Sequence, residues 1–98
     1  MVIDLKDTKE RILDELADAV EYMEKAVEHK GTEWGSWFCS MSKNELEHAN
    51  LLLKMFNKAE KPDSLTEAAH TDMYKAIMDA YITHMNKIEA LKKLYWSE

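Results

Sequence analysis

Apolar positions along the chain step by three and four in three long stretches, the period of a helix that buries one face. In the first, Leu13, Leu16, Val20, Met23 and Val27 share a side, which predicts helix 1 from about Leu5 to Lys30. Asp4 stands where an N-cap is needed, and Gly31 follows as the stop. In the second, Trp34, Phe38, Met41, Glu45, His48, Leu52, Met55 and Ala59 alternate steps of four and three without a break. They predict helix 2 over about 33–60, capped by Thr32 and ended at Lys61-Pro62, since proline cannot continue the hydrogen-bond ladder. Trp37, Leu46, Ala49, Leu51, Leu53 and Phe56 widen this stripe past half the circumference. A helix apolar over that much surface is expected to be the central one, covered on two sides. In the third stretch Ser64-Leu65-Thr66-Glu67 reads as a capping box. His70, Tyr74, Ile77, Tyr81, His84, Ile88, Leu91 and Tyr95 then carry the period on, predicting helix 3 over about 64–96.

Two short connections between long helices make consecutive helices antiparallel. The expected fold is therefore all-α, a three-helix antiparallel bundle occupying residues 1–98 as one domain. Composition agrees: 2 glycines and 1 proline leave little material for the turns of a sheet. No internal repeat, low-complexity tract or linker interrupts the chain.

Charge adds an asymmetry. Residues 1–33 hold ten acids and five bases, net −5, whereas residues 34–98 hold nine and eight, net −1. An acidic first helix disfavours direct binding to nucleic-acid phosphates and favours a basic protein partner. The outward row Asp14, Asp18, Glu21 and Glu28 is the candidate surface for one, and its ordinary alternative is a solvated face. The single Cys39 cannot form an internal disulfide and is expected to be a small packed or boundary residue. Without a leader-like N-terminus or an apolar run of about 20 residues, a soluble, cytoplasmic protein is expected, with no membrane partner.

The segment Glu45-Leu46-Glu47-His48 carries the most specific chemistry. Residues three apart share a helix face, so a carboxylate and an imidazole are presented to one point, inward by their place in the stripe. Folding helix 1 back about Gly31 sets Glu15 near them. Folding helix 3 back about Pro62 brings Tyr81, with His84, to the same level. The candidate metal ligands are thus Glu15, Glu45, His48 and His84. The alternative is a buried hydrogen-bond network in which Tyr81 or a histidine satisfies Glu45. His70 and His84, four turns apart, do not share an ion and are expected to be partly buried. No nucleophile–base arrangement, phosphate-binding glycine loop or paired cysteine motif is present, so catalysis is not expected. Among the tryptophans, Trp34 is expected in the core. Trp37, on a flank with Leu51 and Met55, is expected to support self-association as a homodimer.

Tyr22 and Ala26 before the first turn, Phe38 after it, and Glu45, His48 and Ala49 beyond resemble the first hairpin of ferritin-like proteins. The run Met41–Leu52 is similar to the second helix of rubrerythrin and encapsulated ferritin. Helix 3 resembles the last helix of short ferritin-like proteins of phages and prophages. A rubrerythrin-like register puts Ile12 at the first-helix ligand position, and a shifted register puts Glu15 there. The resemblance implies one Glu-x-x-His per chain and a site completed across a dimer.

Two functions are expected from these features. The first is a non-enzymatic acidic interaction protein, phage or mobile-element encoded, regulating or inhibiting a host nucleic-acid-binding or defence protein, with no cofactor. The alternative is a dimeric ferritin-like carboxylate–histidine protein binding iron or another divalent metal.

Overall fold

In a computed structural model that describes residues 3–98, the chain forms three helices: α1 (Leu5–Glu28), α2 (Glu33–Lys58) and α3 (Glu67–Trp96). The punctuation is largely as the sequence predicts. The Asp4 carboxylate accepts from the Asp7 N–H at 3.0 Å, Gly31 takes φ +83°, and Thr32 Oγ1 accepts from the Gly35 N–H at 3.4 Å. Helix 3 is the exception. Its N-cap is Thr66, whose Oγ1 accepts from the Ala69 N–H at 3.1 Å, and not Ser64. Ser64 is held in a turn, because the Leu65 N–H closes on the Pro62 carbonyl at 3.0 Å and Lys61 Nζ donates to the Leu65 carbonyl at 2.7 Å.

The central helix is α1 and not α2, contrary to expectation. It packs against both other helices, burying Ile12, Leu16, Ala19, Val20, Met23 and Ala26, whereas the α2 and α3 backbones do not approach each other. The cause lies in a row of α2 spaced by seven. Gly35, Ser42, Ala49 and Phe56 are its buried residues, and three of the four are small. Small side chains let α2 settle close onto α1. Ser42 Oγ donates to the Ala19 carbonyl at 2.7 Å, and a Cβ on Gly35 would lie 2.6 Å from the His29 carbonyl oxygen. A seam this narrow leaves the rest of the apolar surface of α2 outside it. Trp34, expected in the core, is 60% exposed, and Trp37, Met41, Leu51 and Met55 are exposed as well.

On the other flank of α1, α3 buries Ile77 and Ile88. Side chains alone span the gap between α2 and α3: Tyr81 Oη donates to Asn50 Oδ1 at 2.9 Å, and Phe56 stacks on His70 with ring centroids 5.5 Å apart. The result is an elongated, thin molecule, 53 × 22 × 14 Å. Its radius of gyration of 15.7 Å exceeds the roughly 13 Å of a compact domain this size. No helix among the described residues is long and apolar enough to cross a membrane.

Candidate metal centre

With α1 and α2 in register through Ala19, Ser42 and Ala49, the edge of α1 beside this seam carries Glu15. The matching edge of α2 carries Glu45 and, one turn on, His48. One ligand atom from each lies within 4.8 Å of the other two. His48 Nδ1 stands 3.7 Å from Glu15 Oε2 and 3.9 Å from Glu45 Oε1. These separations are too long for hydrogen bonds. An ion shared by the three, with bonds of about 2.0–2.2 Å to carboxylate oxygen and imidazole nitrogen, would draw these atoms closer together.

Burial is graded across the cluster. The side chains of Glu15 and Glu45 are 26% and 20% exposed, and that of His48 is 60% exposed. Sequence reasoning expected Glu45 and His48 both inside the bundle; Glu45 is half-buried and His48 forms the outer wall. The reason is again the narrow seam, which sets position 48 beyond the contact row. Glu15 Oε2 is itself shielded from solvent and has no hydrogen-bond partner. A buried carboxylate oxygen without a donor is costly and calls for a proton or a cation.

The electrostatics agree. The Glu45 carboxyl is pushed above the usual range, first by its close pairing with the Glu15 carboxyl group, then by burial and by the Glu15 charge, with His48 opposing. Asp18, one turn along α1 from Glu15, is also raised, by burial and by the charges of Glu45, Glu21 and Asp14. This corner sets the Glu15, Glu45 and Asp18 charges close to one another, and a divalent cation would relieve their repulsion.

His84, named as a fourth ligand, is not there. It lies on the opposite flank of α1, where its Nδ1 contacts the Ala80 carbonyl at 2.6 Å and its neighbours include Val20 and Glu24. Tyr81 likewise turns to Asn50 and leaves Glu45 alone. Both follow from α1 being central, since α3 then sits across from the Glu15 edge. Asn50 went unnoticed in the sequence because no spacing distinguishes a polar residue one place after the seam. Ile12, at the first-helix ligand position of the rubrerythrin-like register, is an apolar residue fully buried in the core. Of the acidic row, Asp14, Asp18, Glu21 and Glu28 are all exposed, and Glu28 pairs with Lys25 at 3.4 Å. Trp37 is exposed and edge-on to Trp34, with ring centroids 5.1 Å apart.

No protein-family model, curated protein or solved structure matches this chain.

Proposed function

We propose that this protein is a divalent-metal-binding helical protein, with Glu15, Glu45 and His48 as ligands, that assembles as a homodimer through the open flank of α2. The observation that carries the metal reading is the orphaned Glu15 Oε2, buried beside a second carboxyl and an imidazole. Two carboxylates and one histidine suit iron, manganese or zinc, and they leave positions for further ligands. A bound cation would be held by these three groups and would supply positive charge or Lewis acidity at a solvent-facing position.

What supports the dimer is unspent apolar surface. On α2, Trp34, Met41 and Met55 stand in one stripe with Glu45 and His48, away from α3. The chain exposes 6736 Å², roughly 900 Å² more than a compact monomer of its mass. That excess is close to the ~800 Å² each partner loses in an ordinary protein interface. A two-fold pairing of this stripe would bring two ligand sets toward each other, in keeping with the ferritin-like resemblance.

The other reading, an acidic interaction protein of a phage or mobile element that regulates a basic host protein, rests on the exposed row Asp14, Asp18, Glu21 and Glu28. The two part at one experiment. Fe²⁺ under anaerobic conditions, or Zn²⁺, should raise the melting temperature of the wild-type protein, because a ligand bound only by the folded state stabilises it. In Glu45→Ala with His48→Ala the shift should vanish. A wild type indifferent to both metals would end the metal reading and leave the interaction reading in its place.

A further inference from the structure

The gap between α2 and α3 is bridged in the middle by Tyr81 and Asn50 and toward the start of α3 by Phe56 and His70. At the other end, near the C-terminus of α3, it is not filled. A cavity of about 350 Å³ remains there, on the side of α2 away from the carboxylate–histidine cluster. Met23, Leu46 and Trp96 supply apolar walls, Cys39 contributes its thiol, and the charged groups in the lining are Lys43 and Lys92.

The charge is the informative part. In a chain of net charge −6, with 19 acids against 13 bases, this lining holds two lysines and no acid. Lys43 makes no ion pair among the described residues. Lys92 Nζ lies 3.6 Å from Glu89 Oε1 on its own helix, an exposed pair of the kind worth little. The remaining polar groups are already engaged, Ser42 with the Ala19 carbonyl and the Cys39 thiol with Met23 Sδ at 4.0 Å. The recognition left to the site is therefore apolar contact plus one anionic head. A 350 Å³ volume is near the lower end of small-molecule pockets.

We propose that this cavity binds a small amphipathic carboxylate, its apolar body against Met23, Leu46 and Trp96 and its head between Lys43 and Lys92. The site is separate from the metal cluster and does not depend on it. Cys39 is the only cysteine in the chain, so its alkylation by iodoacetamide reports occupancy. Decanoate, below its micelle concentration, is the probe, with decanol and decyltrimethylammonium as neutral and cationic counterparts. At ten times its dissociation constant, decanoate should slow alkylation about tenfold. The two counterparts should protect far less. Lys43→Glu with Lys92→Glu should weaken decanoate by about tenfold or more, the scale of a lost charge-assisted contact. Lys54→Glu with Lys75→Glu changes the net charge equally, far from the cavity, and should bind as wild type. Decanoate binding is measured calorimetrically in parallel, so an unreactive thiol leaves the question decided. Equal protection by decanol, equal loss in the two lysine pairs, or no saturable decanoate binding would each overturn the proposal.

Discussion

Glu45 shows most clearly how a residue is set between stability and function. Its folded-state carboxyl is raised by close pairing with the Glu15 carboxyl group, then by burial and the Glu15 charge. A carboxyl raised on folding holds its proton more tightly in the native than in the unfolded chain. Its contribution to stability is therefore full below the unfolded value and is lost as pH rises through the folded value. Without metal, the protein should lose stability as pH climbs from the carboxylate range toward neutrality. Glu45→Gln removes the titrating proton and keeps a hydrogen-bonding group beside Glu15. Thermal melts over the acid-to-neutral range should show the variant gaining stability relative to wild type as pH rises. The same substitution should remove the metal-dependent rise in melting temperature. A Glu45→Gln protein that gains nothing on wild type as pH rises would mean that the two carboxylates do not repel.

At the scale of elements, the helices and most of their caps were legible, because the 3.6 period and the Asp4, Gly31 and Thr32 signals act over a few residues. The arrangement of the helices was harder to read. Apolar breadth pointed to α2 as central, but packing is decided by which row lets backbones come close. Gly35, Ser42 and Ala49 form that row, and small residues leave no mark in a count of large apolar ones. With α1 central, Glu15 keeps its place beside Glu45 and His48, while His84 and Tyr81 fall on the far side. The local part of the site, Glu-x-x-His with a glutamate across the hairpin, was thus readable, and the contribution of the third helix was not. Gly35 tests this account. A methyl group there would meet the His29 carbonyl oxygen at 2.6 Å and its carbon at 3.1 Å, both backbone atoms that cannot swing aside. Gly35→Ala should cost about 1–3 kcal/mol in urea unfolding, the range for overpacking, although alanine ordinarily favours a helix. A stabilised variant would show that close approach at the turn does not set the position of α2.

The whole molecule is thin, open and rich in exposed apolar side chains, and these properties share one origin in the narrow α1–α2 seam. An isolated chain in this shape leaves Trp34, Trp37, Met41, Leu51 and Met55 in water. The proposed pairing of two copies through this flank would bury them around the carboxylate–histidine cluster. Trp37→Glu should weaken the dimer by about 2 kcal/mol or more, roughly 30-fold, as loss of a central tryptophan does in other interfaces. Trp96→Glu, on the opposite side of the bundle, should leave the dimer intact. Sedimentation of the two variants compares them, and equal behaviour would move the interface away from α2. The central claim, that Glu15, Glu45 and His48 together hold a divalent metal, is tested most directly by native mass spectrometry of protein titrated with Zn²⁺. Wild type should carry metal, on a species of twice the 11.5 kDa chain mass, and Glu15→Gln with Glu45→Gln should carry none. Equal metal loading of wild type and variant, or a wild-type protein that takes up none, would contradict it.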